Sequence, residues 1–134
     1  MWLIEPEQDN DLGCYGDCNC YIKFSDPFIT PIKIKTCIGG FPKNKGDLNK
    51  NGSDEISLIP DWFTSCWDLC YVWTYINGKW VYAVDPITVH CNQIEEGINP
   101  IEIDKARYGY VTIRYSDIDI DTFKIKTKSV KIVK

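Results

Sequence analysis

The dipeptide Asn77-Gly78 alone joins two β-rich runs, Cys70–Ile76 and Lys79–Val84. A two-residue loop of this composition is a type I′ turn, because Asn and Gly accept positive φ at both central positions at low cost. Loop length then fixes the register. Ile76 faces Lys79, Tyr75 faces Trp80, Trp73 faces Tyr82 and Tyr71 faces Val84. Side chains alternate across a strand, so one face carries Tyr71, Trp73, Tyr75, Trp80, Tyr82 and Val84. The other carries Val72, Thr74, Ile76, Lys79, Val81 and Ala83. Both faces are largely apolar. The hairpin is therefore expected to sit centrally, covered on both sides, with its aromatic ladder in the core.

The same period of two recurs along the chain. It marks residues 31–35, 55–59 and 109–115, and the C-terminal run from Phe123 alternates apolar residues with lysine. This is the pattern of half-buried antiparallel strands with one wet face. Alanine, the strongest helix former, occurs only at Ala83 and Ala106. Short helical signals are confined to Asp61–Cys70 and a turn near Asp104–Arg107. The expected architecture is all-β: a single antiparallel β domain, sandwich or barrel-like, of seven to nine strands over residues 21–134. An irregular cysteine-bearing segment, residues 1–20, precedes it.

Composition narrows the function classes. The chain has 134 residues, 44% hydrophobic and 25% charged, as expected of one folded domain. No apolar run approaches the roughly 20 residues that span a bilayer, so no transmembrane segment is expected. A net charge of −4 argues against nucleic acid as a partner. Met-Trp-Leu-Ile-Glu-Pro-Glu at the start lacks the form of a secretory signal, so an exported chain would have had its signal removed.

Seven cysteines stand at positions 14, 18, 20, 37, 66, 70 and 91. Two readings compete. Cys14, Cys18 and Cys20 with Cys66 or Cys70 could form a tetrahedral zinc site, but Asp17 and Asp68 sit between the thiols where such sites carry glycine and basic residues. Disulfides are the preferred reading, which places the protein outside the cytoplasm: secreted, periplasmic or on the cell surface. Cys18 and Cys20 are too close in sequence to bridge each other. An odd count leaves at least one thiol unpaired or paired between chains.

Residues 46–56, Gly-Asp-Leu-Asn-Lys-Asn-Gly-Ser-Asp-Glu-Ile, carry the one motif with chemistry in it. Asp47, Asn49 and Asn51 place oxygen ligands at positions 1, 3 and 5. Gly52 allows the turn, Ser53 offers its carbonyl, and Glu55 lies at position 9. Calcium takes six to eight oxygens, and this spacing wraps them round one point. Position 12 is Leu58 rather than the glutamate of an EF-hand, and the loop runs directly into a strand. A turn built from Asn and Asp that needs no metal is the alternative.

Loop plus strand resembles the calcium loop of the FG-GAP and VCBS repeats, the integrin-α-like blades, over about residues 46–67. The matching positions are Asp47, Asn49, Asn51, Gly52, Asp54 and Glu55. The resemblance implies that Asp47, Asn49, Asn51 and Glu55 donate side chains and Ser53 its carbonyl to Ca2+. Such segments look like those of small secreted bacterial proteins of uncharacterised function. With few acidic ligands, the affinity expected is that of extracellular modules, about 10⁻⁴–10⁻³ M.

No nucleophile elbow, phosphate loop, HExxH or dinucleotide fingerprint occurs. His90 and Cys91 would point to opposite faces if residues 87–91 form a strand. The chain is therefore read as non-enzymatic: a β domain binding an unidentified protein or glycan. The alternative is a carbohydrate-binding module in which Trp62, Phe63 and Trp67 form an exposed platform, rather than a loop plug over the β core. A small hydrolase, needing a cleft with a perturbed carboxylate or His90, is a third reading. The acidic run Asp117, Asp119 and Asp121 reads as an exposed strand end or turn.

Overall fold

The computed structural model describes residues 1–6, 18–61, 66–119 and 122–134. Among these, eleven strands and one five-residue helix form three antiparallel sheets, and no barrel closes. The all-β expectation holds, with eleven strands in place of the seven to nine expected. The first sheet orders β1 (Trp2–Ile4), β2 (Asn19–Lys23) and β3 (Ile32–Lys35). Its pairing of Trp2–Ile4 with Tyr21–Lys23 crosses the boundary drawn at residue 20 between an irregular segment and the β domain.

The second sheet runs β4 (Lys43–Gly46), β5 (Glu55–Leu58), β6 (Trp67–Ile76) and β7 (Lys79–Tyr82), with β8 (Ile87–His90) paired to the first half of β6. The third orders β11 (Thr122–Lys131), β10 (Tyr110–Asp119) and β9 (Ile101–Ile103). A single helix, α1 (Cys91–Glu95), follows β8 directly. No helix among the described residues is long and apolar enough to cross a membrane.

The hairpin forms in the expected register from Ile76–Lys79 through Tyr75–Trp80 to Trp73–Tyr82, but the expected Tyr71–Val84 pair does not form, because β7 ends at Tyr82 and Val84 turns into the cluster of Val72. Asn77 and Gly78 take φ of 52° and 76°, the left-handed values that select these two residues. The expectation of cover on both sides is only half met. β6 is paired on both edges, but β7 ends the sheet, leaving Tyr82 50% and Val81 39% exposed.

The alternation of β6 divides the interior. Trp73 joins Cys20, Ile22, Ile34 and Leu58 in one apolar cluster, flanked by half-buried Tyr71 and Trp80. Cys70 and Val72, on the opposite face, join Val89, Ile101, Val111 and Ile113 in the other. Along the first face the ring of Trp73 stacks at 6.2 Å on Tyr82 and 5.8 Å on Tyr71. Tyr75 meets Trp80 at 4.8 Å, and the indole N–H of Trp80 donates to the carbonyl of Thr30 at 2.7 Å.

The helical reading of Asp61–Cys70 is corrected: residues 67–70 begin β6, held by β8 from Trp67–His90 to Cys70–Ile87. That pairing spans about twenty residues of sequence, and tertiary pairing overrides a weak local helical signal. Asp104–Arg107 is the turn expected, closed by the Arg107 N–H on the Asp104 carbonyl.

Trp73→Ala removes the largest side chain of the first cluster. The expected loss is about 3–5 kcal/mol of stability in urea unfolding. A loss below about 1 kcal/mol would mean that the ladder contributes no core packing.

Candidate functional site

The loop from Asp47 to Ser53 leaves β4 and re-enters the sheet at Glu55, with Gly46 and Glu55 paired at its base. Its side-chain oxygens fold the backbone around themselves. Asp47 accepts the N–H of Asn51 on Oδ1 at 3.1 Å and that of Gly52 on Oδ2 at 2.8 Å. Asn49 Oδ1 also accepts the Asn51 N–H, and Asn51 Oδ1 accepts that of Ser53. Gly52 turns the chain at φ 94°, with open space where a Cβ would stand, so the requirement there is backbone conformation rather than room.

Below the loop lies a buried polar network. Glu55 is fully buried, and its carboxylate accepts the Leu48 N–H on one oxygen and the Thr74 hydroxyl, at 3.0 Å, on the other. Asn49, also buried, donates its amide to Thr74 Oγ1 at 3.0 Å and to the Val133 carbonyl at 2.9 Å. That orientation leaves the Asn49 oxygen facing the loop. Asp54 turns away, accepting from Asn44 Nδ2 at 3.0 Å.

The donor set is chemically suited to a hard cation. Every side-chain donor is oxygen, and each oxygen that accepts one N–H retains a second lone pair. Glu55 has no cationic partner among the described residues. Burial pushes its carboxyl above the usual range, and the negative charge of Asp47 pushes it the same way, against the Leu48 and Thr74 hydrogen bonds.

The cysteines are placed as disulfides. Cys20 bonds Cys37 and Cys66 bonds Cys91, and Cys18 is disulfide-bonded as well. Of the thiols of the zinc reading, Cys18, Cys20 and Cys66 are therefore occupied, and Cys14 lies outside the described residues. Cys70 is the free cysteine among the described residues, and burial pushes its thiol up to about 11, so it stays protonated.

His90 and Cys91 do approach each other, His90 Nδ1 lying 3.8 Å from Cys91 Sγ. The strand ends at His90 and the chain turns into α1, so the opposite-faces argument does not apply. His90 Nδ1 caps that helix by accepting the Asn92 N–H at 3.1 Å. With Cys91 in a disulfide, no thiolate nucleophile exists there.

Of the three platform residues, Trp62 and Phe63 lie outside the described residues. Trp67 packs edge-on against His90, with ring centroids 4.8 Å apart, and lines a cleft of about 690 Å³. Tyr82, Asp85, Tyr115, Asp117 and Lys128 complete its polar and aromatic wall. Asp117 pairs with Lys126 at 2.9 Å on the β10–β11 hairpin, and Asp121 lies outside the described residues.

Gln93 is a residue the sequence did not single out. It is buried, donates to the Arg114 carbonyl at 2.8 Å and accepts the Ser116 hydroxyl at 2.6 Å, pinning α1 to β10. No local pattern marks a glutamine whose partners lie more than twenty residues away.

Two outcomes follow. A carboxyl whose pKa rises on folding stabilises the fold fully below its unfolded value, and that contribution is lost as pH rises through the folded value. Metal-free protein should thus lose stability as pH climbs from about 4.3, and Glu55→Gln should remove that part of the slope in urea unfolding. An unchanged slope would mean that Glu55 is not held as described. Second, a dithiol reductant should open Cys66–Cys91, whose Cys66 is exposed, before Cys20–Cys37, both fully buried. Alkylation and peptide mass read the order, and simultaneous opening would contradict it. No family model, curated protein or solved structure matches the chain.

Proposed function

We propose that the chain is a non-enzymatic, disulfide-stabilised extracytoplasmic binding domain, secreted or surface-attached, whose 47–55 loop is a structural calcium site. Asp47, Asn49, Asn51, Glu55 and the Ser53 carbonyl would hold the ion, as the FG-GAP and VCBS resemblance implies. The carrying observation is the fully buried Glu55 carboxylate, which has Asp47 as its charged neighbour and no cation at ion-pair distance among the described residues. Calcium would neutralise both groups and bind the loop to β6 through Thr74.

A ligand of the folded state alone raises stability by mass action, by about 2.7 kcal/mol at 100 times its Kd. Calcium at several millimolar should therefore raise the thermal midpoint. Asp47→Ala should abolish the rise, whereas Lys50→Ala, at an exposed position of the turn, should keep it. A midpoint indifferent to calcium in both the unmodified protein and Asp47→Ala would leave the loop a metal-free Asx turn.

A second reading, carbohydrate binding, is favoured by Trp67, Tyr82 and Tyr115 lining one open cleft with Asp85 and Asp117. Rings and carboxylates together suit sugar faces and hydroxyls. Trp67→Ala would then abolish glycan-induced changes in tryptophan fluorescence. An absence of any saturable change across a glycan panel would reject this reading.

A further inference from the structure

A second cavity, about 320 Å³, lies on the Val72 face of the five-stranded sheet, under the segment from α1 to β9. The register orders its wall. Lys43 pairs with Ser57 and Ser57 with Val72. Asp68 lies four residues before Val72 on β6, about 13 Å along that strand, and Asp61 follows the end of β5, where it bridges Gly39. Lys43 and Lys45, on the same side of β4, mark the basic end. Asp61 and Asp68 mark the acidic end, where the Asp61 carboxylate also lies over Gly39. Leu58, Val89 and Ile98 form apolar walls between them.

Neither end holds an ion pair among the described residues, and the Glu102 carboxylate acts on Lys45 only from beyond ion-pair distance. The Lys45 ammonium donates to Asn99 Oδ1 at 2.7 Å and has no carboxylate at ion-pair distance among the described residues. The Asp68 carboxylate has neither a hydrogen bond nor an ion pair among them. Burial raises the Asp68 pKa, to which the negative charge of Asp61 adds. Half-buried Lys45 and Asp68, of opposite sign, unpaired with each other and flanked by exposed Lys43 and Asp61, make a site complementary to a ligand that carries both charges.

We infer that this cavity binds a small dipolar ligand, an ammonium and a carboxylate separated by an apolar spacer, with the carboxylate at Lys43 and Lys45 and the ammonium at Asp61 and Asp68. The ligand class includes ω-amino acids and short apolar peptides. The inference stands apart from the calcium and glycan readings, which concern the 47–55 loop and the Trp67 cleft.

The test titrates the full chain, with calcium held constant, with 6-aminohexanoate, hexanoate and hexylamine, following amide shifts by NMR. With nine non-hydrogen atoms, 6-aminohexanoate should bind with a Kd on the order of 10 mM or tighter. Saturable shifts are expected at Cys70, Val89 and Ile98. Each single-ended analogue should bind about tenfold more weakly, the scale of one charge-assisted contact. Lys45→Met should weaken 6-aminohexanoate about tenfold and leave hexylamine unchanged, and Asp68→Asn should spare hexanoate instead. No saturable shift, equal binding of all three probes, or shifts confined to residues outside the cavity would overturn the inference. The probe comparison on the unmodified protein decides it even if a variant fails to fold.

Discussion

The fold depends on strand β6 being buried on both faces. Its ten residues pair with β5 and β7 at one end and with β8 at the other, while their side chains serve two separate apolar clusters. Trp73 fills one cluster beside the Cys20–Cys37 disulfide, and Val72, its neighbour in sequence, fills the other. A one-residue slip would exchange the two faces, placing Trp73 where Val72 now meets Val111 and Ile113. The Asn77-Gly78 turn prevents that slip, so a dipeptide sets the register on which both cores rest.

Thr74 extends the role of β6 to the loop. Its hydroxyl donates to Glu55 and accepts from Asn49, and Asn49 reaches on to the Val133 carbonyl. Loop, central strand and C-terminal segment thus share one buried network, in which a carboxylate with no cationic partner among the described residues is the costly member. Low dielectric strengthens such a network when it is complete and penalises it when a charge is unbalanced. That physical cost makes a cation at Asp47 and Glu55 chemically reasonable. A stretch of alternating Asn and Asp alone would not.

The readable parts of the sequence were the local ones. The hairpin register, the alternating strands β3, β5, β10 and β11, and the turn at Asp104 each follow from residues close together in the chain. Long-range pairing hid the rest. Trp67–Cys70 carries a weak helical signal yet forms strand because β8 lies beside it. Tyr82 looks like core by its alternation but stands at a sheet edge. The oxygen spacing of the 47–55 loop was visible, whereas the buried position of Glu55 beneath it was not, because its hydrogen-bond partner Thr74 stands nineteen residues on. Disulfide partners and the opposed charges around Cys70 likewise depend on which strands meet.

Native-state hydrogen exchange tests the central role of β6 most directly, since it resolves whether parts of a fold open together. The amides of Val72 and Trp73, of Ile34 in the first sheet and of Ile113 in the third should share one opening free energy and one denaturant dependence, those of global unfolding. Exchange of Ile113 or Ile34 through a separate, lower-energy opening while Val72 and Trp73 stay protected would contradict the account, for it would show that the two cores do not depend on their shared strand.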